Sequence, residues 1–495
     1  MLLLGLDVGS TACKCAAYDG EGRPVCSVSR EYPIPAGAPS VDAGVLRSSA
    51  MDAVACAAAK AGEMTGEKVS LISVTSFGES FVALDKAGKP LAPIIMYTGG
   101  DGEKAAEGLR RDPGGNHFAA RECLLPDATY SLPMLMSLKD SDPKAFEADT
   151  FLLITDYICF CLSGERVIPW SLAARTMAFD VKKKDWDDLL LEKAGIDRSR
   201  LALPVKDGTV AGRILPSAAE KLGVPGSTLI CAASHDQVSS ALGCGVIDPG
   251  QAVTASGSVE CLAPVFGRPS SDRAYYEAGY VCVPYSDSGN YINYAYNLTG
   301  GRLLKWMRDE LTPLRGDGSA YQALDAEAEK RGITDVIAVP HFLGAGVTPD
   351  RVPSAKGTFA GITFETTVAD IYRAALEGAA FEMRVNIDRL KALGYGINEL
   401  TATGGGARSP LWLQIKSDIF GVPVKASAAA DAGTLGAVMF GMRAAGLAGS
   451  LKEAVEKSVR QGRVYLPDEQ RRKIYDEKYE RYAAVRNGML GIFER

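Results

Sequence analysis

Asp7 and Lys14 flank Gly9-Ser10-Thr11 within the otherwise apolar run Leu3–Tyr18. Two apolar stretches broken by a small-residue turn predict a buried β-hairpin. A carboxylate and an ammonium are costly to bury there unless something compensates them. A nucleotide phosphate with its Mg²⁺ would do so. Turn N–H groups and hydroxyls would face the phosphates, Lys14 would offset their charge, and Asp7 would hold metal-bound water. An ordinary N-terminal hairpin, with Asp7 in the turn and Lys14 on an edge, accounts for the same residues.

Two further segments carry chemistry. Ser227–Gly245 reads as a strand running into His235-Asp236-Gln237 and then a small-residue helix. One step past a strand end, Asp236 either caps that helix or takes the proton of an attacking hydroxyl as a general base. His235 reads as a substrate contact or as a hydrogen-bonded core residue. In Ile397–Lys425 a strand ends at Thr403 and Gly404-Gly405-Gly406-Ala407 follows. Ser409 is then the N-cap, Pro410 the first helical position, and Leu411, Trp412, Ile415 and Ile419 the buried stripe. Three glycines expose bare backbone to a ligand beside a helix N-terminus, whereas a tight strand–helix turn needs only one.

The elements that position these residues recur. The first hairpin has a counterpart at Gln251–Pro264, turned at Ser256-Gly257-Ser258, and long amphipathic helices are predicted over Leu46–Gly62 and Val368–Leu393. A chain of 495 residues exceeds one hydrophobic core. The duplication predicts two related α/β domains with a ligand cleft between them. Gly and Pro in CGVIDPG put the boundary near Gly243–Gly250, giving domains 1–246 and 247–495. Helix 368–393 reads as core, and Asp468–Arg495 as a charged helix with a solvated face and Tyr and Leu anchors.

Composition narrows the partners. A net charge of −6 leaves no basic footprint for nucleic acid or anionic membrane, so a bound anion is held by local geometry. No apolar run reaches the ~20 residues of a membrane span. The N-terminus lacks a basic region and Asp7 interrupts its apolar stretch, which argues against a signal peptide. The 11 cysteines are odd in number and scattered, as expected of reduced thiols in a cytoplasmic protein. Three histidines argue against a His-rich metal site or a triad hydrolase.

In sequence order, DVGSTACK (7–14), SHDQVSSALG (234–243), SGSVE (256–260) and TATGGGARSPLWLQIKSDIFGVPV (401–424) resemble the FGGY family of carbohydrate kinases. The similarity is to its xylulokinase-like members and runs from residue 1 to about 450; WSLAARTMAFD (170–180) and DAGTLGAVMFG (431–441) add to it. The resemblance implies a duplicated, actin-like (ribonuclease H-like) α/β ATPase fold of two domains around a central cleft. ATP and Mg²⁺ would sit between the domains, with the sugar on the N-terminal side. By position, the resemblance would make Asp236 the catalytic base and Asp7 the metal-associated carboxylate. Gly9, Ser10, Thr11 and Lys14 form the first phosphate loop and Gly257 and Ser258 the second. Gly300, Gly405, Gly406 and Ala407 border the nucleotide.

The sugar-reading segments depart from the family pattern. Ser76-Phe77-Gly78-Glu79-Ser80 replaces a Gln-x-x-His stretch, and Tyr97-Thr98-Gly99-Gly100-Asp101 replaces Trp-x-Asp-x-Arg. Glu79, Ser80, Tyr97 and Asp101, with His235 and Asp236, form the expected substrate set. Glu79 and Asp101 would accept sugar hydroxyls and repel a sugar acid, which favours a neutral ketose or polyol. Dimers are common among similar kinases, so the resemblance leaves a homodimer open without fixing the oligomeric state. Two rival readings remain: an actin-like ATPase acting on a protein partner, and a degenerate sugar- or nucleotide-binding regulator suggested by Gly99 and Asp101. Intact Asp7, Lys14 and Asp236 favour phosphoryl transfer.

Overall fold

The computed structural model describes residues 1–32, 38–112, 116–270, 272–285 and 288–494. The first sheet contains β1 (Leu2–Val8), β2 (Ala12–Tyr18), β3 (Pro24–Glu31), β4 (Val69–Ser76), β5 (Thr209–Arg213) and β6 (Leu229–His235), in the order β5-β6-β4-β1-β2-β3. β1 and β2 form the predicted antiparallel hairpin, while β4 and β6 run parallel to β1. β1, β4 and β6 are buried along almost their whole length, as suits strands covered on both faces. Helix α1 (Ala43–Thr65) packs on this sheet, extending the predicted helix by three residues at each end. Asp42 caps it, accepting from Val45 N.

The second sheet contains β7 (Gln251–Ser256), β8 (Glu260–Phe266), β9 (Val283–Tyr285), β10 (Asn290–Ile292), β11 (Ala295–Asn297), β12 (Glu399–Thr403), β13 (Val424–Ser427) and β14 (Gln461–Tyr465). Its order is β9-β10-β8-β7-β12-β13-β14, with β11 also paired to β8. β7 and β8 are antiparallel, β12 and β13 run parallel to β7, and β14 closes antiparallel. The first sheet shows the same succession of hairpin, two parallel strands and antiparallel edge. The halves are structural repeats.

One helix crosses between them. α5 (Ala432–Ala444) follows β13 in sequence yet packs on β1 and on α2 (Asp236–Gly243). A Cβ on Gly436 would stand 1.7 Å from Ser239 O, so only glycine permits that approach.

α3 (Val368–Ala392) and α4 (Pro410–Phe420) pack on the second sheet, α6 (Glu469–Phe493) packs on both helices, and the interior of this layer is partly ionic. Tyr475, Tyr482 and Leu490 of α6 are buried, as expected of its anchors. Lys478 and Arg486 are buried on the same face, paired with Glu377 and Glu382 of α3. The charges of these helices are therefore not all solvated: those at helical spacing with the tyrosines point inward and meet opposite charge.

Candidate active site

The carboxyl ends of β1, β4 and β6 lie level, with Val8 opposite Ser76 and Ser76 opposite His235. Residues just beyond these ends therefore converge, the usual ligand position on an open parallel sheet. They are the Gly9–Thr11 turn, the Phe77–Ser80 loop and Asp236.

Asp236 opens α2 but does not cap it. His235 is the N-cap residue, no side-chain cap bond forms, and Asp236 Oδ1 is buried without a hydrogen-bond partner. Burial, followed by the charges of Asp7 and Glu79, pushes the Asp236 carboxyl up to about 8. His235 Nε2 lies 3.2 Å from Oδ1, unaligned for a hydrogen bond, and Nδ1 lies 3.1 Å from Tyr294 Oη. Burial, with Arg175 beside it, holds His235 well below its usual value, so the ring is neutral. Cys261 of β8 faces Gln237 and Tyr294 faces His235, placing Asp236 where the halves meet.

Asp7 sits opposite Lys14 in the hairpin register. Burial, then Asp431, pushes its carboxyl up to about 7. Lys14 Nζ reaches Asp431 Oδ2 at 3.3 Å, and Asp431 Oδ1 caps α5 through Thr434 N. Asp431 was not foreseen, because it joins the site only through the crossing of α5. Gly9 N closes the first turn on Ala12 O at 2.9 Å, leaving Ser10 and Thr11 at the surface.

The second turn mirrors the first. Gly257 N donates to Val259 O, Gly300 N to Ser258 O and Gly301 N to Gly257 O, so Gly300 braces the turn and Gly257 and Ser258 remain exposed. Gly404 has φ of 82°, and a Cβ there would stand 2.7 Å from Ser256 O. A Cβ on Gly406 would meet Ser256 and Trp412 at 2.5 Å, whereas one on Gly405 would meet only Ser256 O, at an ordinary 3.8 Å. Close packing thus accounts for Gly404 and Gly406 but not for Gly405. Ser409 caps α4 through Trp412 N, with Pro410 at its start. Beneath the turn, buried Lys416 donates to Thr254 Oγ1 (3.1 Å), Ser256 Oγ (2.6 Å) and Glu260. Lys416 falls four residues after Trp412 on the buried face, the one sequence signal for it.

On the acceptor side, Glu79 has φ of 64°, a left-handed conformation rare outside glycine, and Arg175 Nε donates to it at 2.7 Å. Arg175 lies between the Tyr130 and Tyr294 rings, and its Nη1 is buried with no partner. Tyr97 is pushed up by burial, then by the charges of Glu79 and Asp236, with Ser10 near enough to lower it in part. Ser80 Oγ accepts from Tyr97 N at 3.0 Å and so supports that loop. Asp101 is exposed, with no hydrogen bond or ion pair to this cluster among the described residues. The repulsion expected of Glu79 and Asp101 is absent as pictured, since Arg175 offsets one charge and the other lies outside.

The chain matches the FGGY family of carbohydrate kinases, its N-terminal domain over residues 2–243 and its C-terminal domain over residues 270–445. It belongs to that family, whose members use ATP as the phosphate donor. A gluconokinase of Bacillus subtilis is 27% identical over 456 residues, covering 90% of this chain and 88% of that one. A xylulose kinase of Staphylococcus epidermidis is 24% identical over 490 residues, covering 98% and 96%. The solved gluconate kinase of Lactobacillus acidophilus superposes with a TM-score of 0.90 at 24% identity, covering 100% and 99%. The fold is the duplicated actin-like one, and the protein is a carbohydrate kinase.

Proposed function

We propose that Asp236 is the base of this kinase and that its acceptor is a neutral sugar or polyol. The observation that carries the reading is the buried, unpartnered Oδ1 of Asp236 at the junction of the halves. Once ionised, that oxygen accepts the proton of a hydroxyl attacking the γ-phosphoryl group. The turns at Gly9–Thr11 and Gly257–Ser258 offer N–H groups and hydroxyls to the phosphates, and Lys14 adds a positive charge. Gly405 and Ala407 border the nucleotide.

Asp7 neighbours both Asp236 and Asp431, with Lys14 near Asp7 and Asp431 and Arg175 near Asp236, and burial with like charge nearby raises Asp7 and Asp236. Such a donor set suits Mg²⁺. Asp7 would hold it with Asp431 beside, and the ion would offset phosphate charge. Glu79 and Arg175 form a net-neutral pair, one accepting and one donating, as a neutral polyhydroxylated acceptor requires. Asp7, Asp236 and Asp431 keep the surroundings acidic, which disfavours a sugar acid.

Coupled ADP release over pentuloses, hexuloses, polyols and aldonates tests this reading. We expect turnover with a neutral acceptor and an Asp236→Asn loss of about 10²–10⁴-fold with ATP affinity retained. Preferred turnover of an aldonate would overturn the acceptor class, and an active Asp236→Asn enzyme would overturn the base.

A further inference from the structure

A second cluster of titratable side chains lies away from this site, where the short helix Asn116–Arg121 meets the turn before the helix Asp188–Ala194. His117 Nε2 is 2.9 Å from Asp187 Oδ2 and 3.8 Å from Glu122 Oε1. One ligand atom from each residue lies within 4.8 Å of the others. Glu122 is 1% exposed, and neither of its oxygens has a hydrogen-bond partner. A buried carboxylate with both oxygens unpaired demands a proton or a cation.

The surrounding charges favour a cation. Asp187 and Asp180, both buried, face Glu122. Against these three acids stand Arg121, 3.1 Å from Asp187, and Lys183, 3.9 Å from Asp180, whose side chains are 43% and 70% exposed. Two solvent-facing monovalent charges leave three buried acids undercompensated. Asp187 Oδ1 caps Leu189 N and Leu190 N, while Oδ2, which accepts from Arg121 Nη1 at 3.1 Å and lies 2.9 Å from His117 Nε2, is the oxygen that faces the cluster. One imidazole nitrogen and two carboxylate oxygens, with a fourth position open to water, form a donor set typical of zinc. The half-buried His117 gives an ion a way in.

We propose that His117, Glu122 and Asp187 bind one divalent transition-metal ion, best matched by Zn²⁺, which ties the helix Asn116–Arg121 to the helix Asp188–Ala194. The same segment reaches the second half through Cys282 N donating to Cys123 O at 3.1 Å. The residues after it, Leu125 to Tyr130, line a cavity of about 470 Å³ that extends to Arg175 and Tyr294. The ion thus braces a wall of the acceptor side and takes no part in the chemistry there.

The test is calorimetric titration of chelator-treated full-length protein with Zn²⁺ without nucleotide, with metal content and melting temperature measured in parallel. Asp7→Asn controls for binding at the carboxylates of the phosphoryl-transfer site. We expect wild type and Asp7→Asn to take one Zn²⁺ equivalent that Glu122→Gln and His117→Ala do not, with a zinc-induced rise in melting temperature only in the first two. Glu122→Gln keeps side-chain size and removes a buried acid, so its folding is expected to survive. Zinc binding of equal stoichiometry and affinity in wild type and both cluster variants, or no binding by wild type, would overturn the proposal. Glu122 would then be a protonated acid hydrogen-bonded to Asp187.

Discussion

Asp236 and Asp7 carry opposed demands, since each must be charged to act while burial favours the proton. Their carboxyls are pushed up to about 8 and about 7, both chiefly by burial, and the charge of Asp7 is a further cause at Asp236. A base works only when ionised. kcat/KM for the acceptor should therefore fall on the acid side through about pH 7–8, and an acceptor profile flat from pH 6 to 9 would contradict this. Stability runs the other way. Both folded values lie above the unfolded 3.8, so the stability these groups contribute is present below about pH 4 and lost as pH rises through 7–8. Asp236→Asn removes its share of that loss. In melts without nucleotide, the variant should gain on wild type as pH increases from 5 to 8.5; a constant difference would exclude this linkage.

Among the elements, the hairpin of β7 and β8 depends on a helix to hold its turn in place. Lys416 of α4 donates to Thr254, Ser256 and Glu260 from a fully buried position. Lys416→Met strands the Glu260 carboxylate in the interior, a loss of about 3–5 kcal/mol in denaturant unfolding. Pairing it with Glu260→Gln should restore much of that stability while leaving the KM for ATP raised, because Ser256 loses its anchor next to Gly257 and Ser258. A double variant with wild-type ATP affinity would show that the turn holds itself. The mirrored turn at Gly9–Thr11 lacks such a lysine and is instead neighboured by Asp431 from α5. The two phosphate turns thus share a backbone plan and differ in their supports.

For the whole molecule, each sheet is built from one half of the chain, and we propose 1–246 and 247–495 as the two domains. They are not independent, because α5 belongs to the second by sequence and covers β1 and α2 of the first. Residues 1–246 expressed alone should be aggregated or molten by circular dichroism and size exclusion, and co-expression with 247–495 should rescue them. A monodisperse, cooperatively melting 1–246 would disprove that dependence. Arg351 and Asp127 also bridge the halves beside the acceptor cavity. Arg351 is 56% exposed and Asp127 23%, so solvent screens the pair in part and its contribution is about 1 kcal/mol, small enough for the halves to move. No helix among the described residues is long and apolar enough to cross a membrane.

Local rules made much of this legible. Two hairpins, the Ser409-Pro410 helix start and the place of Asp236 past a strand all follow from neighbours within a few residues, where turn and cap chemistry operate. The sequence alone also determined that the halves repeat, since like motifs recur in like order. Tertiary structure decided what no short window contains. Asp431 meets Lys14 across more than 400 positions, Arg175 meets Glu79 across 96, and Lys478 meets Glu377 across 101. Periodicity can assign a charged side chain to a buried face, but only the packed partner says whether burial is tolerable, because the energy of a charge depends on what lies within a few ångströms of it.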